Sequence, residues 1–149
     1  MNLTPFHRLL PAFAIALLLS SGTAKELTDD ETTARKTAFD VAGAFSNDGF
    51  KLRDGTWIGL LQPKVGQCLR VNLFAGNQYW FSVGATPQAQ KMSITIFDEA
   101  GKGQVVEQYA EGATAAAGFA PEASGPYLIR VEETEGAGPA TFCLIYSYK

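Results

Sequence analysis

The sequence predicts an all-β domain, an antiparallel β-sandwich preceded by one N-terminal α-helix. Three observations carry this. The apolar residues recur at helical spacing up to Phe45 and at a spacing of two from Phe50 onward. Turn residues (Gly, Asn, Asp, Pro) recur between the period-two segments, as they do in sandwiches. With 149 residues, 46% hydrophobic and 18% charged, the chain can bury one ordinary core.

Residues 1–24 read as a secretory signal peptide. Arg8 supplies a charge, Leu9 to Leu19 is almost wholly apolar, and small residues follow at Ser20-Ser21-Gly22-Thr23-Ala24. Cleavage is expected after Ala24, with Gly22 at the −3 position. The apolar stretch is far shorter than the roughly 20 residues a bilayer span needs, and no later segment is apolar enough to cross a membrane. The expected location is therefore periplasmic or secreted. Cleavage also removes His7, the only histidine. A mature chain without histidine cannot use imidazole as general base, triad member or metal ligand.

Residues 25–48 are expected to carry the helix, over Lys25 to Phe45. Thr28 or Asp29 can cap it, and Asp30-Glu31 suit its positive end. Ala34, Ala38, Val41, Ala42 and Phe45 share one face. Ser46-Asn47-Asp48-Gly49 then turns the chain.

Residues 49–149 are expected to form the sandwich. Strand candidates are Phe50–Arg53, Thr56–Leu61 and Gln67–Leu73, the last with Leu69, Val71 and Leu73 on one face. Ala75-Gly76-Asn77 reads as a hairpin turn into Gln78–Val83, where Tyr79, Phe81 and Val83 share a face. A polar link over Ala85–Lys91 precedes Met92–Phe97. After a turn at Asp98–Gly103, Gln104–Tyr109 is expected to pair back. Ala113–Ala120 is Ala-rich, and Phe119 suggests a short strand. Pro126–Glu132 and Ala140–Tyr148 complete the set, with a loop over Glu133–Pro139. In the last strand Phe142, Leu144, Tyr146 and Tyr148 alternate with Cys143 and Ile145.

Cys68 and Cys143 are the only cysteines. An even count in an exported chain predicts a disulfide between them. A loop of that length would gain about 4 kcal/mol on the chain-entropy account.

Three segments together resemble the bacterial pre-peptidase C-terminal domain family. They are Leu73-Phe74-Ala75-Gly76-Asn77-Gln78-Tyr79-Trp80-Phe81-Ser82-Val83, then Met92-Ser93-Ile94-Thr95-Ile96-Phe97-Asp98-Glu99-Ala100-Gly101, then Phe119-Ala120-Pro121-Glu122-Ala123-Ser124-Gly125-Pro126-Tyr127-Leu128-Ile129-Arg130-Val131. The resemblance covers about Gln67 to Tyr148. It implies a jelly-roll-like sandwich on an exported, non-catalytic protein that aids secretion, targeting or binding. Unlike the family's usual setting, no peptidase is expected in the residues ahead of this segment. The acidic residues often found before the middle strand are replaced here by Gln88-Ala89-Gln90-Lys91-Met92-Ser93.

The residues offer little catalytic chemistry. A serine nucleophile would need a Ser–Lys pair, and no Ser-x-x-Lys spacing stands in a recognisable context. Gly101-Lys102-Gly103 lacks the flanks of a phosphate loop. A carbohydrate-binding module is the alternative function and a carboxylate-dependent hydrolase the last one, because the adjacent acids Asp98-Glu99 and Glu132-Glu133 that glycoside chemistry would use point to opposite faces of a strand. Glu132, Glu133 and Glu135 are the candidates for weak calcium ligation, without Asp-rich ligand spacing behind them. An acidic balance, 12 Lys and Arg against 15 Asp and Glu, argues against a nucleic-acid partner. No cofactor or metal is expected. The candidate binding residue is Trp80, which faces away from the core if Tyr79 and Phe81 face into it. An outward tryptophan could stack on a sugar or anchor a protein, unless the helix covers it. The expected partner is a protein or an envelope glycan.

Overall fold

The computed structural model describes residues 24–149. The expected leader lies, up to Thr23, outside the described residues. The chain is mostly antiparallel β, in two sheets, with one α-helix.

Helix α1 spans Asp29–Gly43. It starts later than Lys25 because Thr28 caps it. The Thr28 hydroxyl accepts from the Glu31 amide at 3.2 Å, and the Glu31 carboxylate accepts from the Thr28 amide at 2.8 Å. This reciprocal box satisfies two of the otherwise unpaired amides of the first turn. The backbone N–H of Thr28 also holds the Glu31 carboxyl below its usual range. Phe45 lies beyond the helix and leads into a single 3-10 turn, Ser46–Asp48.

The strands are β1 (Lys51–Leu52), β2 (Trp57–Leu61), β3 (Gln67–Leu73), β4 (Tyr79–Ala85), β5 (Ala89–Asp98), β6 (Glu107–Glu111), β7 (Thr114–Phe119), β8 (Gly125–Gly136) and β9 (Ala140–Tyr148). The larger sheet has the order β1-β9-β4-β7-β6, with β2 also paired to β9. The smaller has the order β3-β8-β5. Their apolar faces meet in one core, which takes Phe81, Val83, Phe142 and Leu144 from the larger sheet and Val71, Leu73, Ile94, Ile96, Ile129 and Val131 from the smaller. Each set alternates along its strand with residues of the opposite face, as the pleat requires.

Helix α1 lies on the outer face of the larger sheet. Its buried residues Ala34, Ala38 and Ala42 pack on Cys143 and Ile145 of β9. Small residues set that spacing on both sides. A Cβ at Gly84 of β4 would come within 2.3 Å of the Ala38 nitrogen, so only glycine allows the helix this close.

Several expectations are corrected. Cys68 and Cys143 are both free, Cys68 exposed and Cys143 buried. No disulfide joins them because they sit on different sheets and face away from the core between them. On β3 the inward residues are Val71 and Leu73, so Cys68 points out. On β9 the inward residues are Phe142 and Leu144, so Cys143 points out under α1. Packed sheets lie about 10 Å apart, beyond the roughly 7 Å limit for a disulfide even before side-chain direction is counted. The Ala75–Asn77 turn does not close a hairpin: it carries the chain from β3 in one sheet to β4 in the other. Nor does β6 pair back on β5. It pairs with β7, and only the Phe97–Gly103 bridge holds the link before it to β5. The Glu133–Pro139 loop is shorter than expected, because β8 continues to Gly136.

Candidate functional site

Trp80 stands on the outer face of β4, since its neighbours Tyr79 and Phe81 are buried in the core. Directly across the ladder on β7 is Gly118. A Cβ there would meet three adjacent indole atoms at 2.8 to 3.0 Å. Three near-equal distances mean that the indole lies flat on the glycine backbone. From the helix side Phe45 stacks on the indole, with centroids 4.1 Å apart and an interplanar angle of 8°. Trp80 is thus held between the sheet and the end of α1, with both faces occupied. Only its edges remain to line the surface.

Two cavities open along those edges. One, of about 530 Å³, lies between the C-terminal half of α1 and the β6–β7 hairpin. Thr37, Val41, Ala44 and Phe45 form one wall, Tyr109 the other, and Thr114 and Trp80 complete it. The second, of about 390 Å³, lies beyond Trp80 and involves Phe50, Val105, Val106, Glu107 and Phe119. Among the described residues, the carboxyl side chains lining the two cavities are Asp40 at the first and Glu107 at the second, with no Lys or Arg beside them in either lining. The Tyr109 hydroxyl donates to the Glu111 carboxylate. That bond and the nearby negative charge push the phenol above its usual range.

The other residues singled out by sequence do not converge on this site. Cys143 lies under α1, and burial pushes its thiol up to about 11, partly offset by Arg35. Cys68 is on the opposite side of the molecule. The three glutamates near the end of β8 are dispersed. Glu132 pairs with Arg130 at 2.8 Å and Glu135 with Lys91 at 3.5 Å, while the Glu133 carboxylate is buried against Gly136 at the end of β8. They form no cation cage. Glu133 is fully buried, and neither carboxylate oxygen has a partner. Burial raises its carboxyl above the usual range. Asp98 bonds the Lys102 amide and closes its own turn at 2.8 Å. Among the described residues no group of three or more His, Cys, Asp or Glu could hold a metal, and no helix is long and apolar enough to cross a membrane.

Sequence reasoning favoured a helix that covers Trp80 with the face of Ala38, Val41 and Phe45, and the Phe45–Trp80 stack agrees with it. It missed Gly118 and Tyr109 as parts of the site. Gly118 becomes visible only when the β4–β7 register sets it opposite Trp80.

No protein-family model matches the chain, and no curated protein matches it. The resemblance to the pre-peptidase C-terminal domains therefore rests on the quoted segments alone.

Proposed function

We propose that this is an exported, non-catalytic β-sandwich that binds a protein partner through the groove beside Trp80, in the periplasm or outside the cell. The observation that carries this reading is the groove itself. It is walled by Val41, Ala44, Phe45 and Tyr109 and ordered by the Phe45–Trp80–Gly118 stack. Apolar concavities of this size with few polar groups are where soluble domains take up ligands. The export signature of residues 1–24 and the lack of histidine from Lys25 onward support the localisation and the non-catalytic role. A jelly-roll-like topology fits as well, because every connection from β2 onward except β6–β7 changes sheet.

A protein is favoured over a glycan by the state of Trp80. Sugar binding by tryptophan uses a free ring face, and both faces here are taken. The test is a photo-crosslinker placed at Val41 in the groove and, separately, at Thr95 on the outer face of the smaller sheet, in the native envelope fraction. Capture of the same protein from Val41 but not Thr95, lost on Trp80→Ala, is the expected result. Equal capture from both positions, or glycan retention that survives Trp80→Ala, overturns it.

A further inference from the structure

We infer that the free edge of β6 takes an extended polypeptide segment of alternating basic and apolar residues as an added strand. This rests on the reading of the Trp80 groove as a protein-binding site and names the class of partner. Strand β6 ends the larger sheet and pairs only with β7. All five of its residues are exposed.

The hydrogen-bond parity of the sheet shows which groups are free. The Ala85 amide donates to the Ala113 carbonyl at 2.9 Å. Ala113, Ala115 and Ala117 therefore bond towards β4, and Thr114, Ala116 and Gly118 bond towards β6. Their partners are Glu111, Tyr109 and Glu107. This leaves the N–H and C=O groups of Gln108 and Ala110 directed off the sheet edge, with no backbone partner among the described residues. Such a row is a template for strand addition.

Side chains select what can pair there. Glu107, Tyr109 and Glu111 project on the helix side of the sheet, beside the groove. Gln108 turns the other way and donates to the Ile94 carbonyl. A second copy is a poor occupant. Antiparallel self-pairing about Tyr109 would set Glu107 against Glu111 twice, and like charges directly opposite destabilise a ladder. A segment with lysine or arginine at those two places and an apolar residue between them reverses the sign of both contacts. Its central side chain would lie against Tyr109, which is 45% exposed. Val105, 97% exposed just before the strand, extends the apolar contact.

The test uses two synthetic peptides and the purified described chain. One carries lysine, threonine, phenylalanine, threonine, lysine between threonine ends; the other has glutamate for lysine. Binding is read by anisotropy of labelled peptide and by amide hydrogen exchange. The basic peptide is expected to bind at least about ten-fold more tightly than the acidic one, to weaken with salt, and to protect the Gln108 and Ala110 amides. Ala110→Pro removes an outward N–H without removing a ladder bond, so it should abolish binding while the melting temperature stays within a few degrees. Glu107→Lys with Glu111→Lys should reverse the peptide preference. A basic peptide N-methylated on its pairing edge should not bind, which tests pairing without altering the protein. Equal binding of both peptides, binding by neither, or unchanged binding to Ala110→Pro overturns the inference. Partner capture from Val41 that persists in Ala110→Pro would leave the groove reading standing while strand addition falls. Loss of capture from Val41 in every background would remove the groove reading itself.

Discussion

Replacing Gly84 by alanine should lift α1 off the sheet. The added methyl would lie 2.3 Å from the Ala38 nitrogen and 2.6 Å from the Thr37 carbonyl carbon, both backbone atoms. Neither can rotate away, so the helix as a whole must move by an ångström or more to restore ordinary contact. Overpacking of this kind costs about 1–3 kcal/mol. At about 2–5 °C per kcal/mol for a domain of this size, the melting temperature should fall by roughly 2–15 °C. The displaced helix supplies its own reporter, because Cys143 is fully buried beneath it. In the wild type a thiol reagent should label Cys68 quickly and Cys143 only on unfolding. In Gly84→Ala both thiols should react under native conditions, and Trp80 emission should shift to the red as Phe45 leaves it. An unchanged melting temperature with Cys143 still protected would refute the account of how the helix is seated.

Other outcomes follow from the same structure. Without reductant, the denatured wild type should titrate two free thiols; none would restore the disulfide. Glu133→Met removes a buried carboxyl that has no partner and should raise stability at neutral pH by about 1–3 kcal/mol. The folded state raises this carboxyl's pKa, so it holds the proton more tightly than the unfolded chain does. Wild-type stability should then fall as pH rises from below the ordinary glutamate range towards neutrality, and the gap to Glu133→Met should widen. Urea unfolding at pH 4 and pH 7 that shows equal gaps would refute this. Thr28→Ala should cost about 0.5–2 kcal/mol through loss of the capping box, read as faster hydrogen exchange in the first turn of α1. Gly118→Ala should push the indole off the sheet and against Phe45, disturbing the stack and changing the near-ultraviolet circular dichroism, with a smaller thermal effect than Gly84→Ala.

The legible parts of the chain are those where alternation is clean. β3 over Gln67–Leu73 and β9 over Ala140–Tyr148 match the expected strands residue for residue, because Leu69, Val71 and Leu73 of the one and Phe142, Leu144 and Tyr146 of the other alternate without a break. The sequence left the cap open between Thr28 and Asp29, and the reciprocal bonds with Glu31 decide for Thr28. The same alternation placed Cys68 and Cys143 on non-core faces, and it proved the better guide than their even number. Partnering was not legible. Short connections at Ala75–Asn77 and Asp98–Gly103 suit a hairpin or a crossover equally, and only the core decides between them. β6 shows no alternation because every residue is exposed. Glu133 follows the inward period of Tyr127, Ile129 and Val131, but its polarity suggested a loop. For the site, the outward direction of Trp80 was readable from its neighbours. That the helix covers it followed from the apolar face of Ala38, Val41 and Phe45, whereas the Gly118 side depends on a register that no local pattern encodes.

Strand β9 pairs with β1, β2 and β4 at once. The first two of these therefore have no ladder partner until the last residues arrive. A chain emerging from its N-terminus cannot complete the larger sheet while it is being made, and α1 has no finished surface to dock on. Topologies of this kind, with distant segments joined late, fold slowly. The only strands able to close locally are β6 and β7, across the short turn at Gly112. On the proposed export route this delay would be an asset, because a chain led by residues 1–24 stays threadable until its final strand is released.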